Sequence, residues 1–181
     1  MSALVLQVAP ATYDVRYSCD CRPHSAETSG TLTATLKPDG DFDVDYPNAG
    51  TDHLGFALRA ARRVITDSSG LQPSSKWRSS VDVLIQDQTV VVPVSASVVS
   101  LDNGIATIEA RGNVRDASVL LNYGTIPVSI ELDLVEHVKV GRSAEDAPSL
   151  TSLVETVNNH FARGVYGLPV DSSVKCELTA K

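Results

Sequence analysis

Little in this chain points to catalysis, metal binding or nucleic-acid binding. Of its 181 residues one is Met, one is Trp and three are Cys, and aromatics make up only 5%. Three cysteines, Cys19, Cys21 and Cys176, cannot close a complete disulfide framework, so at least one thiol stays free or pairs outside the chain. Basic residues are scarce: 15 Lys and Arg stand against 22 Asp and Glu, for a net charge of -7. No basic cluster exceeds the short group Arg59, Arg62 and Arg63, which argues against a surface built to neutralise phosphates and therefore against nucleic acid as a partner. No apolar run approaches the ~20 residues that a membrane-spanning helix needs, so membrane contact is expected to be peripheral at most. Met1 to Pro10 lacks the basic opening of a secretory signal, and the sequence leaves the compartment open.

Phosphate-cradling motifs are missing too: there is no G-x-G-x-x-G and no G-K-[ST]. No Ser stands in G-x-S-x-G, and His53, His137 and His160 are scattered, so they read as surface or helix-end histidines. Cys19-Asp20-Cys21-Arg22-Pro23-His24 offers thiolates and an imidazole but no second ligand pair, and is read as two thiols on one strand face rather than a zinc site. Asp39, Asp41, Asp43 and Asp45 have the alternate spacing of a calcium loop. They interleave with Phe42 and Val44, however, and lack the later Glu, so they read as the wet face of a strand. No catalytic residue, metal or cofactor is expected.

What the chain has is periodicity. With 43% hydrophobic and 20% charged residues, it can bury a core as one domain spanning 1–181. Side chains alternate across a strand, so apolar residues at every second position mark half-buried strands. Tyr13 to Cys21, Leu32 to Leu36, Phe42 to Tyr46, Val81 to Ile85, Val90 to Val98, Ala106 to Ala110, Ile126 to Leu134 and Val174 to Leu178 all alternate in this way. Lys37-Pro38-Asp39-Gly40 and Asp102-Asn103-Gly104 supply hairpin turns. Pro93 places its strand at an edge, or at a point where the missing N–H is not needed.

Two stretches switch to a helical period. Leu54, Leu58, Ala61 and Ile65 form one stripe; Leu150, Leu153, Val154, Val157 and Phe161 form another, opened by Pro148 and closed by Gly164. The expected fold is therefore α+β: a strongly curved, barrel-like antiparallel meander packed on two amphipathic helices.

The segment Leu150 to Ala180, with its stripe, its N-x-x-F-A-x-G step at Asn158 to Gly164 and its Leu168-Pro169 before the last strand, resembles the closing part of the tubular lipid-binding superfamily. This is the group that includes bactericidal/permeability-increasing protein and lipid-transfer proteins. The stretch from Asp52 to Gly70 and the opening from Leu4 to Cys21 are similar to earlier parts of those domains. The resemblance implies a slot for acyl chains between sheet and helices and no chemistry on the ligand. Two departures stand out: the chain has room for one domain rather than a tandem pair, and it lacks a basic tip.

The expected function is binding or transfer of an apolar ligand such as a phospholipid or fatty acid. Its expected walls are Leu54, Leu58, Ile65, Leu150, Val154, Val157 and Phe161, with Val128, Ile130 and Leu132 opposite. The rival from another class is an assembly module that forms a homodimer or meets a partner domain through a helix face or the strand bearing Pro93. A small-molecule enzyme built in the barrel mouth is a third.

Overall fold

Nine strands in one antiparallel sheet account for nearly all of the described chain. The computed structural model describes residues 11–22, 28–36, 42–44, 72–85, 88–121, 124–140, 149–163 and 167–181. In chain order the strands are β1 (Ala11–Arg22), β2 (Thr28–Leu36), β3 (Phe42–Val44), β4 (Lys76–Ile85), β5 (Gln88–Asp102), β6 (Ile105–Leu121), β7 (Gly124–Lys139), β8 (Ser149–Phe161) and β9 (Val170–Ala180). Their spatial order is β3-β2-β1-β9-β8-β7-β6-β5-β4. Two meanders thus meet where β1 pairs with β9, Tyr13 opposite Ala180 and Arg22 opposite Asp171.

The expected strands are present as far as they are described, the one from Phe42 being described only to Val44; the expected turn at 37–40 lies outside the described residues, and the Asp102-Asn103-Gly104 turn is in place. Asn103 and Gly104 have φ of 51° and 76°, and Asp102 pairs with Ile105 across them. Positive φ at both central residues matches the right-handed twist of a two-residue hairpin, which is why Asn-Gly occupies it.

The two-helix expectation is overturned. Among the described residues there is no helix, and the stretch expected to form the second one is β8, hydrogen-bonded on both sides. A register shift explains the deception. Between His137 and Val138 the ladder slips, so Ser152 faces His137 while Leu150 faces Val138, and Thr151 is the extra residue. Its Oγ1 donates to the His137 carbonyl at 2.8 Å. The bulge lets Leu150 and Leu153, three apart, both be buried, which imitates a helical stripe. Beyond it the alternation is regular, but Glu155 and Asn159 occupy inward places and hide it. Thr151, Val154, Thr156 and Val157 are β-branched and favour the extended chain. The first expected helix lies outside the described residues, as do Leu54, Leu58 and Ile65.

One face of the sheet is buried from β1 and β2 through to β4. Along β7, Ile126, Val128, Ile130, Leu132 and Leu134 are all sealed from solvent, while Pro127, Glu131 and Asp133 between them are exposed. Tyr13, Val15, Leu32, Val83, Val92, Ile108, Val157 and Leu178 join the same apolar cluster from the other strands. Pro93 lies on β5, which is not an edge strand; the β6 register begins one residue later, at Val94 opposite Gly112, so its missing N–H falls just outside that ladder. Among the described residues the edges are β3 and β4. Gly112 is required by its neighbours: a Cβ there would run into the Pro93 carbonyl and come within 2.6 Å of Val94 Cγ1.

Candidate functional site

Register places the inward side chains in rows that cross the sheet. One row runs Trp77, Ala96, Ala110, Leu134, Glu155, Cys176, Tyr17, Gly30 over eight strands, β4 to β2. The next row carries Val98, Ile108, Glu136, Leu153, Leu178, Val15 and Leu32. Two carboxyl groups therefore stand inside an otherwise apolar interior. Glu155 has 0% and Glu136 2% of its surface exposed. Since Glu136 faces Leu153, the two acids are diagonal neighbours, roughly 7–8 Å apart along the backbone.

Burial holds the Glu155 carboxyl well above its ordinary range, and the nearby Glu136 charge pushes it further the same way. Neither Glu155 oxygen has a hydrogen-bond partner. Trp77 Nε1 is likewise buried with nothing to accept its proton. Buried polar atoms are nearly always bonded, because leaving one unsatisfied costs on the order of 1–3 kcal/mol. Both of these lie on one row, separated by Ala96, Ala110 and Leu134. At the far end Tyr17 lies over Gly30, where a Cβ would come within 2.7 Å of the ring carbon bearing the hydroxyl. Beside Glu155, Cys176 is fully buried, and its thiol is pushed far up, first by burial and then by the Glu155 charge. A thiol so held stays protonated and does not act as a nucleophile.

Of the expected ligand walls, Val128, Ile130, Leu132, Leu150 and Val157 are buried in this interior, and Phe161 packs against it half-buried. Val154 is one residue out of phase with Leu153 and Glu155 and sits on the opposite face. Glu155, Glu136 and Trp77 were not expected. The signal for Glu136 was available, since it continues the even-numbered row of β7 after Leu134; Glu155 was hidden by the helical reading of β8.

The outer face carries a second polar cluster, a groove of about 440 Å³ over β1, β9, β8 and β7. Asp20, Ser173, Asn158 and Glu131 line it as one cross-strand row. Ser173 Oγ donates to Asn158 Oδ1 at 2.7 Å, and His160 Nδ1 lies 2.6 Å from Asp171 Oδ1. Ser129 is the register partner of His160, so Ser, His and Asp fall in line on three strands. They do not form a catalytic relay. The Ser129 hydroxyl accepts from the Asp116 N–H at 3.3 Å, no Ser129–His160 hydrogen bond exists among the described residues, and His160 and Asp171 are mostly exposed.

Comparison with family models, curated proteins and solved structures finds no match to this chain.

Proposed function

We propose that this protein is a non-catalytic binder of an apolar, chain-bearing ligand, received against the inward face of the sheet. The observation that supports this reading is the mismatch inside: an aliphatic interior into which Glu155 and Trp77 project polar atoms that the protein leaves unbonded. A guest received against this face would gain about 0.8 kcal/mol for each methylene it buries, and could bond the polar atoms as well. The assembly reading is weaker. Among the described residues, the exposed large apolar side chains Val91, Val99, Ile105, Leu120 and Leu168 are spread over β5, both ends of β6 and the approach to β9. Native mass spectrometry of the freshly purified protein, followed by extraction into organic solvent, is expected to reveal a co-purifying amphiphile. A clean apo mass that also fails to take up any added single-chain amphiphile rules the reading out.

A further inference from the structure

β5 and β6 are not joined along their whole length. Their ladder runs from Asp102 opposite Ile105 to Val94 opposite Gly112 and stops there. Beyond it, β5 stays paired with β4 as far as Gln88 opposite Ile85, and β6 stays paired with β7 as far as Leu121 opposite Gly124. Among the described residues, therefore, 88–93 and 113–121 run beside each other across a seam without a ladder pair. Two features hold the seam apart. Pro93 offers no N–H at the point where the ladder ends, and β6 bulges between Val114 and Ala117, where Asp116 has a φ of 53°. One contact closes its far end. The Gln88 carboxamide donates through Nε2 to the Leu120 carbonyl and accepts through Oε1 from the Leu120 N–H at 2.9 Å. A carboxamide carries the same donor and acceptor as a peptide group, so this side chain takes the place of a missing rung.

We propose that the seam is a conformational latch: release of the Gln88 carboxamide lets 88–93 part from 113–121 while the rest of the sheet stays paired. A ladder rung breaks only when backbone moves, whereas an exposed side chain lets go by turning about its own bonds, on a picosecond-to-nanosecond scale. Among the described residues β4 is the outermost strand on this side, so no further described strand holds the tip of the β4–β5 hairpin. Val91 and Leu120, on the outer face at the two sides of the seam, are 55% and 60% exposed, whereas side chains across a closed ladder cover one another. What resists opening lies underneath: Val90, Val92, Val119 and Leu121 are all buried in the apolar cluster. The closed form therefore predominates, and opening is a local excursion that uncovers Val119 without unfolding the sheet. The latch requires no ligand and is independent of the apolar-ligand reading.

Val119→Cys places a thiol on the buried side of the seam, and iodoacetamide labelling followed by peptide mapping reads how often that thiol is uncovered. Cys176, buried on β9, serves as the internal control. The rate at position 119 is compared between Val119→Cys and the double variant Val119→Cys with Gln88→Ala, at neutral pH, with circular dichroism confirming that both are folded. The double variant is expected to label there about tenfold faster, the worth of the lost carboxamide bonds, while Cys176 stays unlabelled in both. Equal rates at position 119 overturn the latch. So does a gain at 119 matched by a gain at Cys176, because the whole sheet would then be unfolding. If Val119→Cys does not fold, Val92→Cys replaces it, fully buried on the opposite side of the seam, with the same expected and overturning results.

Discussion

Glu155 and Glu177 sit on neighbouring strands and share a side chain, yet the sheet treats them oppositely. Glu177 is on the outer face of β9, where Lys175 donates to its Oε1 at 2.6 Å and holds its carboxyl below the ordinary range, chiefly through that hydrogen bond. Glu155, directly across from Cys176, is on the inner face and is driven the other way by burial and by Glu136. The period of two decides which face a residue takes, and the face decides whether a carboxylate meets water and a cation or meets aliphatic carbon. The outer face is a solvated polar surface whose groups satisfy one another. The inner face is apolar and close to complete, and its few polar atoms are the places where it departs from a simple core.

That contrast can be broken most forcefully on β7. Leu132→Ala removes a buried inner-face side chain and is expected to cost about 2–5 kcal/mol in denaturant unfolding. If the loss is under about 1 kcal/mol, the inner row is not packed as described.

Glu155→Leu should move stability in the other direction, by about 1–3 kcal/mol at pH 7 in the ligand-free protein, because it removes a buried group with no partner. The pH dependence gives the sharper check. Since the folded protein holds the proton more tightly than the unfolded chain, it binds more protons at any pH above the ordinary value of 4.5, up to the raised one. The contribution of this group to stability is therefore greatest below about pH 4.5 and is lost as pH rises through that window. Melting curves of wild type and Glu155→Gln are expected to diverge progressively above pH 5, with the variant more stable. Parallel curves would mean that Glu155 is not buried as a neutral acid.

Gly112→Ala is expected to cost about 1–3 kcal/mol, because the added methyl meets backbone at Pro93 rather than a side chain that can swing away. The smallest effect belongs outside: breaking the exposed His160–Asp171 pair with His160→Ala is expected to change stability by about 0–1 kcal/mol. A larger loss would show that the groove is structural. The thiols offer a last comparison. Peptide mapping after iodoacetamide treatment should find Cys176 unmodified in the native protein and modified after unfolding, as its burial requires.

Much of the sheet was legible in the sequence because a half-buried strand writes itself as alternation. Ile126 to Leu134 could hardly be anything else, and Asn103-Gly104 fixed the hairpin between β5 and β6. β8 was illegible for two local reasons. Its bulge at Thr151 shifts the phase by one, and its inward places include Glu155 and Asn159, so the apolar residues that remain fall at helical spacing. The same substitution of Glu for an apolar residue both concealed the strand and created the candidate site. Glu136 likewise interrupts the inward row of β7 between Leu134 and Val138. The union of β1 with β9 was invisible because pairing between distant strands depends on topology, and no local pattern records it.

That union has a consequence for how the molecule is made. The β1–β3 unit joins the β4–β9 meander through a ladder between residues some hundred and fifty positions apart. On a ribosome, the early hairpin emerges and must wait, one long side unpaired, until the last strand has been synthesised. Contacts this remote in sequence form slowly. A folding trace is therefore expected to show the β5–β7 hairpins protected against hydrogen exchange first and Tyr13 to Arg22 last.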